Sequence, residues 1–235
     1  MARKGDLRKQ RAGTVINSTS KRQEKALDRA ITRVRDRLVK KFGDLELAHE
    51  SQLALSAVVA TLKKSFPEVD FHYHHESSSM RPDGGILYLS GKSGRKCPIL
   101  IAEKKNQGTN DLRLAEGKGK QAKGNAIERL GKNVIGFRTA LLGESIFPFV
   151  CFGDGCDFAD DSSIIDRVVT IAMFGSLNRE YVHALGEGQR FNRGTFYFRV
   201  PEWTEDEMTE LCYSIAEKAV FYYFSKHGEV EFKKS

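Results

Sequence analysis

The chain has 235 residues and a mass of 26.4 kDa, which is enough for one large domain. It has no apolar run long enough to span a membrane, and no apolar segment follows its charged start, so we expect neither a membrane span nor a secretory signal. Its four cysteines are too few and too scattered for a disulfide scaffold, so we expect reduced thiols in a cytoplasmic protein.

The positive charge is concentrated near the N-terminus. Residues 1–40 contain 13 Lys and Arg against 4 Asp and Glu, whereas residues 41–235 contain 25 against 27. The net charge of +7 therefore belongs to an N-terminal arm and the first helix. Such a basic block attracts a polyanion, which favours nucleic acid over a membrane surface, because membrane binding also needs an apolar face. A solvated basic face is the alternative.

The first part of the chain predicts an arm followed by two helices. Residues 1–17 have the composition of a flexible basic arm, and we expect residues 18–235 to form a single domain. Ser20 with Gln23 fits a capping box for a first helix, which carries apolar residues at helical spacing and stops near Gly43. A second helix is predicted from about residue 50 to residue 65.

The remaining elements alternate between strands and helices. Alternating apolar residues predict a strand at 69–74, and two apolar runs at 85–89 and 98–103 predict a hairpin. Beyond an exposed loop at 106–124, the pattern predicts a helix at 125–142, a strand at 147–152 and a helix at 162–174, for which a strand is the alternative. A strand at 195–200 and a long helix behind a capping box at Thr204 and Glu207 follow. We therefore expect an α/β fold with a central mixed β-sheet flanked by helices.

Two suggestive motifs are set aside. Gly91, Lys92 and Ser93 resemble the end of a P-loop, but position 86 lacks the required glycine and a strand follows instead of a helix. We therefore expect no nucleotide cofactor. The cluster of His72, His74 and His75 could bind a metal, but no carboxylate accompanies it, and a strand-surface cluster is the favoured interpretation.

Two carboxylates and one lysine form the most informative pattern. Asp83 precedes one strand of the predicted hairpin, and Glu103 and Lys105 end the other. Side chains two residues apart on a strand point to one face, so Glu103 and Lys105 should lie together, with Lys104 facing away. Asp83 can approach the same face. A turn beside a surface ion pair is the plainer alternative.

This set of groups suits phosphodiester hydrolysis. Two carboxylates can bind Mg²⁺ while leaving part of its coordination to water. A lysine beside them can orient or deprotonate the attacking water, or neutralise charge on the phosphate. The following segment, residues 117–124, is basic and rich in glycine, which suits phosphate contact. Asn125 can pair with adenine and Arg129 with a purine, although Asn125 also suits a helix N-cap.

Five stretches carry a family resemblance. They are RPDGGI at 81–86, IAEKKNQG at 101–108, KGNAIER at 123–129, ESIFPFVCF at 144–152 and SLNR at 176–179. Over about residues 70–180 the chain resembles the EcoRI family of type II restriction endonucleases, which are PD-(D/E)xK nucleases. The resemblance implies a homodimer that encloses double-stranded DNA in a prokaryotic cell and cuts both strands at a palindrome with Mg²⁺.

The resemblance also implies roles for individual residues. Asp83 and Glu103 are the expected metal ligands, and Lys105 is the expected catalytic lysine. The DNA-binding residues that it implies, together with the basic segment, are Lys118, Lys120, Gln121, Ala122, Lys123, Gly124, Asn125, Ala126, Arg129 and Arg179. Asn125 and Arg129 would read a central AATT, and Arg179 would help to read the outer base pair.

Two departures from the family pattern affect the expected site. Val182 stands where the family has a second arginine, and Gln121 stands where it has an apolar residue. Losing one base contact relaxes the outer pair, so we expect purine-AATT-pyrimidine, with GAATTC as the stricter option. Two other functions stay open: a repair or junction nuclease on the same core, which would not need the GNAIER string, and a non-catalytic nucleic-acid-binding protein, which would not need the three site residues.

Overall fold

The computed structural model describes residues 15–106, 117, 125–155, 158–159, 162–183 and 186–234, with the backbone alone at 15–21, 125, 126 and 163. Its α-helices within these ranges are α1 (Val15–Phe42), α2 (Leu55–Ser65), α3 (Asn125–Ala140), α4 (Ser163–Ile171) and α5 (Glu205–His227). The strands described are β1 (Glu46–Glu50), β2 (Leu53–Ala54), β3 (Ser79–Met80), β4 (Ile86–Ser90), β5 (Lys96–Asn106), β6 (Phe149–Asp154) and β7 (Thr195–Arg199). Two short 3₁₀ helices cover Gly186–Phe191 and Glu229–Phe232.

A mixed sheet of five strands forms the centre of the molecule. Its order is β1-β4-β5-β6-β7, with antiparallel pairing from β1 to β5 and parallel pairing from β5 to β7. The strands β2 and β3 form a separate small antiparallel pair. The predicted α/β fold with a central mixed sheet and flanking helices is therefore confirmed.

Helices cover both faces of this sheet. One hydrophobic cluster joins α1 and α5 to one face, and a second joins α2, α3 and α4 to the other. Alternation along β6 shows the division, because Val150 and Phe152 pack in the first cluster whereas Phe149 and Cys151 pack in the second. The thiols of Cys97, Cys151 and Cys212 are buried and free, as expected for reduced cysteines.

The first helix confirms its predicted apolar stripe but not its predicted start. Helix α1 already begins at Val15, so residues 15–17 of the predicted arm are helical, and the rest of that arm lies outside the described residues. Ser20 is inside the helix and not at its cap. Gln23 is buried, and its amide donates to Asp154 Oδ1 at 3.2 Å. A capping pattern is local, and no proline or glycine between residues 15 and 20 stops the helix from extending further.

The basic residues of α1 face acidic residues that precede or belong to α5. This row of ion pairs comprises Arg22–Glu202, Arg29–Glu205, Arg33–Asp206, Arg37–Glu210 and Lys41–Glu217, at distances of 2.6–2.9 Å. These cations have carboxylate partners within the protein, and the interpretation that α1 belongs to a polyanion-attracting block stays a prediction.

The second predicted helix is confirmed as α2 up to its end at Ser65, although its predicted start is wrong, and the predicted strand at 69–74 is wrong. The predicted second helix includes Glu50, but Glu46–Glu50 forms the edge strand β1 on β4, and α2 starts only at Leu55. No strand forms at 69–74. Val69 and Tyr73 are exposed there, and an alternating pattern makes a strand only where one face is buried against a partner. His72 and His74 therefore do not lie on a strand.

Predictions with strong local signals are confirmed. The hairpin forms between β4 and β5, with Ile86 opposite Ile101. The capping box at α5 is present, because the Thr204 hydroxyl accepts from the Glu207 amide and the Glu207 carboxylate accepts from the Thr204 amide at 2.9 Å.

None of the described helices is both long enough and apolar enough to cross a membrane.

Candidate active site

The hairpin brings Asp83 to the end of β5. The Gly84 amide donates to the Ala102 carbonyl at 2.9 Å, and the Ala102 amide donates to the Gly85 carbonyl at 3.2 Å. These bonds extend the pairing of β4 with β5 back into the turn that carries Asp83. The carboxylate is thereby placed beside Glu103, as the sequence predicts.

Packing leaves this turn little freedom. Gly85 has a φ of +73°, a conformation that glycine adopts without strain. At Gly84, a Cβ atom would lie 2.7 Å from Ile31 Cδ1 and 2.7 Å from Leu27 Cδ2, so any side chain there would require these buried side chains of α1 to shift. His49 of β1 binds the Gly84 carbonyl through Nε2 at 2.8 Å. The position of Asp83 is therefore determined by α1, β1 and β5 together.

Asp83, Glu103 and Lys105 form one connected cluster, which we call the carboxylate–lysine cluster. Lys105 Nζ donates to Asp83 Oδ2 at 2.8 Å and also to Glu103 Oε1. The Asp83 amide donates to Glu103 Oε2 at 3.3 Å. The predicted convergence of these three residues, with Glu103 and Lys105 on one face of β5, is confirmed.

Burial and charge act in opposite directions within the carboxylate–lysine cluster. The Glu103 side chain is 2% exposed, whereas that of Asp83 is 28% exposed. Burial raises the pKa of Glu103, although the Lys105 ammonium opposes this effect. Burial alone would lower the pKa of Lys105, but the carboxylates of Glu103 and Asp83 outweigh it, so that pKa is raised. Lys105 is therefore held in its charged form.

Lys104 lies on the opposite face of β5, as the strand geometry predicts. Its ammonium group pairs with Asp154 of β6, and both side chains are almost completely buried. Asp154 also accepts from Asn106 Nδ2 at 2.8 Å and from the Trp203 amide at 3.1 Å. The backbone amide of Lys104 nevertheless reaches the carboxylate–lysine cluster, where it donates to Asp83 Oδ2 at 3.2 Å.

Sequence reasoning missed Asn133. This half-buried residue of α3 directs its side-chain amide at Glu103, with Nδ2 at 3.3 Å from Oε1 and 3.4 Å from Oε2. Positions 125, 129 and 133 are four residues apart, and such positions share one face of a helix. That spacing is the signal by which Asn133 could have been found beside Asn125 and Arg129.

The predicted DNA-binding residues are described only in part. Arg129 is exposed on the second turn of α3. Asn125 and Ala126 begin this helix, and their side chains are not described. The other predicted contacts of this segment lie outside the described residues: Lys118, Lys120, Gln121, Ala122, Lys123 and Gly124. The carboxylate–lysine cluster and the start of α3 lie on the same side of the sheet, because Asn133 contacts Glu103 and Ile127 packs in the same hydrophobic cluster as Ile101.

The segment that carries Arg179 is anchored to β7. The Asn178 amide donates to the Phe196 carbonyl at 2.8 Å, and Asn178 Oδ1 accepts from the Phe198 amide at 2.8 Å. Arg179 is exposed beside this anchor. Val182 is buried, with 3% exposure, inside the cluster that packs on α1 and α5. Its side chain therefore cannot reach a ligand at the surface.

The carboxylate–lysine cluster suits a hard divalent cation without enclosing it. Two carboxylates supply oxygen ligands, and within the described part of the chain Asp83 Oδ1 accepts no hydrogen bond. No group of three or more His, Cys, Asp or Glu side chains with metal-binding geometry occurs among the described residues. A cation here would take its remaining ligands from water, as Mg²⁺ commonly does.

Comparison with known proteins places these features in a family. The family model described as "Restriction endonuclease EcoRI" matches residues 9–179. The type II restriction enzyme RsrI of Cereibacter sphaeroides is 28% identical over 241 residues, covering 88% of this chain and 87% of that protein. The type II restriction enzyme EcoRI of Escherichia coli is 33% identical over 156 residues, covering 61% of this chain and 56% of that protein. The family match contains Asp83, Glu103 and Lys105 and ends at Arg179.

Proposed function

Because this chain belongs to the EcoRI family of restriction endonucleases and is a type II site-specific deoxyribonuclease, we propose that Asp83, Glu103 and Lys105 form its Mg²⁺-dependent active site. The observation that carries this proposal is the convergence of the three side chains within hydrogen-bonding distance. The reaction is the hydrolysis of one phosphodiester bond in each strand of a DNA duplex.

Asp83 and Glu103 would hold the metal ion. Both carboxylates lie at the end of the β4–β5 hairpin, and the 28% exposure of Asp83 gives access from the solvent side. When bound, Mg²⁺ would supply positive charge to the scissile phosphate and activate a water molecule for attack. The buried Glu103 is fixed from several directions, which suits a ligand whose geometry must not change between binding and chemistry.

Lys105 would act mainly through its charge. In the absence of a metal ion, the carboxylates of Glu103 and Asp83 raise its pKa. As an ammonium group, it can stabilise negative charge on the phosphate in the transition state and orient the attacking water. Of the roles open to a lysine here, charge stabilisation and orientation are the ones we assign.

Recognition would come from the segment that leads into α3. We propose that the basic residues Lys118, Lys120 and Lys123 contact phosphates and that Asn125 and Arg129 read a central AATT from the major groove. The chain Ala122–Ala126 would lie along the groove. The exposure of Arg129 supports this assignment, as does the position of Asn125 at the start of the same helix.

The outer base pair would be read less strictly than a single G·C. Arg179 is exposed and can reach purine N7, which A and G share in the major groove. Val182 is buried and supplies no second donor. The proposed site is therefore purine-AATT-pyrimidine, with GAATTC as the stricter alternative. A palindrome requires a protein of matching symmetry, so we propose a homodimer that acts in the cytoplasm of a prokaryotic cell.

Digestion of plasmid DNA with Mg²⁺ and with EDTA, followed by sequencing of the cut ends, tests this function. We expect cleavage only with Mg²⁺ and ends that define a palindrome centred on AATT. Duplexes that place A, G, C or T outside AATT then test the outer pair, and we expect similar rates for GAATTC and AAATTT. A preference for GAATTC of about a hundredfold or more would overturn the relaxed site, since one bidentate base contact is worth about 1–3 kcal/mol.

A further inference from the structure

The contact between Asn133 and Glu103 joins two parts of the molecule with different tasks. Glu103 belongs to the carboxylate–lysine cluster on β5, and Asn133 belongs to α3, which begins at Asn125. The Asn133 amide nitrogen is nearly equidistant from the two carboxylate oxygens, at 3.3 and 3.4 Å. A single neutral donor thus lies across both oxygens of the buried carboxylate.

Helix α3 can transmit a displacement from its N-terminal end to Asn133, because its buried face packs along the sheet. Leu130, Val134 and Phe137 are buried against the sheet face that carries Glu103. Residue 133 lies two turns beyond residue 125, which is about 12 Å along the helix axis. A small shift or rotation of α3 at its N-terminal end therefore moves the amide of Asn133 relative to Glu103.

The other donors to Glu103 show why this amide matters. A buried carboxylate loses its hydration and needs hydrogen-bond donors in exchange. Glu103 has Lys105, the Asp83 amide and Asn133. A scissile phosphate would compete with Glu103 for the Lys105 ammonium group. The orientation of Glu103 then depends more strongly on the Asp83 amide, which is local, and on Asn133, which belongs to α3.

We propose that Asn133 is a positioning residue that couples base reading at the start of α3 to the orientation of Glu103. This inference rests on the proposed function. In a complex with the correct DNA sequence, the base contacts fix the position of α3, and the side-chain amide of Asn133 then holds Glu103 in place. In a complex with an altered sequence, α3 is not fixed in the same way, so discrimination occurs at the cleavage step as well as at binding.

The test compares Asn133→Ala with Thr139→Ala, an uncharged substitution on the same helix that does not touch Glu103. The site identified in the plasmid digest serves as the duplex, together with a duplex that carries one changed base pair. Three quantities are measured: the single-turnover cleavage rate at saturating enzyme, the DNA dissociation constant in EDTA, and the thermal unfolding midpoint. The second and third do not depend on cleavage.

For Asn133→Ala we expect a fall in the cleavage rate of roughly 10- to 100-fold, as for loss of one hydrogen bond to a charged group. The dissociation constant and unfolding midpoint should stay close to those of the wild type, and the preference for the correct duplex over the altered one should shrink. Asn133→Asp keeps the shape but not the donor, so it should lose activity as well. Thr139→Ala should match the wild type.

Several results would overturn the inference. Cleavage by Asn133→Ala within about threefold of the wild type, well below the effect of one such bond, would show that the amide does not position Glu103. Equal losses of DNA affinity and cleavage would make Asn133 a DNA contact instead. Full activity of Asn133→Asp would show that only packing matters. If the wild type itself cuts no DNA with Mg²⁺, the proposed function fails, and this inference falls with it.

Discussion

Lys104 and Lys105 are neighbours on the same strand and have opposite environments. Lys105 faces the carboxylate–lysine cluster, where its side chain is 13% exposed and contacts two carboxylates. Lys104 faces the helices α1 and α5, where its side chain is 2% exposed and pairs with Asp154. Burial lowers the pKa of Lys104 despite the opposing effect of Asp154, whereas two carboxylates raise the pKa of Lys105.

The comparison shows that a single strand residue, Lys104, contributes to both faces of the sheet. The side chain of Lys104 ties β5 to β6 inside the core, and its backbone amide orients Asp83 on the other face. The active face and the structural face are therefore one residue apart, and substitutions on the two faces should have different consequences. Loss of catalysis with an intact fold is expected on one face, and loss of stability on the other.

The largest effect should follow from removing the carboxylate–lysine cluster itself. Asp83→Ala, Glu103→Ala and Lys105→Ala should each reduce cleavage by at least about a hundredfold, because each removes a metal ligand or the charge that stabilises the transition state. For the two carboxylate variants the DNA affinity should persist, since removing a carboxylate beside phosphate reduces repulsion. Plasmid cleavage with Mg²⁺ and gel-shift binding in EDTA measure the two properties separately. Substantial cleavage by either carboxylate variant would contradict the ligand assignment.

The next effect concerns the buried face. Asp154→Ala leaves the Lys104 ammonium buried without its partner, and such losses cost about 3–5 kcal/mol of folding free energy. Urea unfolding at neutral pH measures this change. The double variant Lys104→Met with Asp154→Asn is the control, since it removes both charges while residue 154 keeps an acceptor for the Trp203 amide, and it should recover a large part of the loss. If Asp154→Ala unfolds at the wild-type urea concentration, the pair is not structurally important.

The sequence predicts the direction of Lys104 but not its surroundings. The period of a strand is enough to show that Lys104 points away from Glu103 and Lys105. From this direction alone, one predicts that Lys104→Ala has only a mild effect on cleavage. Its partner Asp154 is on β6, and only the parallel pairing of β5 with β6, with Asn106 opposite Asp154, brings them together. We therefore expect Lys104→Ala to be mild for the chemistry and costly for stability.

The difference between local patterns and tertiary contacts also explains which other predictions from the sequence are confirmed and which are wrong. The hairpin and the α5 capping box depend on neighbouring residues, so the sequence is sufficient to predict them. The edge strand β1 has no marked alternation and exists because β4 offers it a partner. Asn133 contacts Glu103 only because α3 packs on β5, and no local sequence pattern predicts that contact. The site residues could be named from motifs, whereas the contacts that position them depend on tertiary structure.

The smallest effect concerns the exposed ion pairs between α1 and α5, on the outer side of the helices that bury Lys104. Arg29 donates to Glu205 at 2.6 Å, and its side chain is 58% exposed. Exposed pairs contribute about 0.2–1 kcal/mol, so Arg29→Ala should lower stability by no more than this amount, and high salt should reduce the difference. Urea unfolding at low and high salt measures it.

This exposed pair also has a pH signature. The pKa of Glu205 is lowered from its ordinary value of 4.5, chiefly by the hydrogen bond from Arg29. A carboxylate whose pKa is lower in the folded state stabilises the fold at neutral pH, and this contribution is lost as the pH falls below that ordinary value. The stability difference between the wild type and Arg29→Ala should therefore vanish in acid. Because Arg29 already has a carboxylate partner, the salt dependence of DNA binding should not change in this variant. A reduced salt dependence would show instead that α1 contacts DNA and that its row of ion pairs opens on binding.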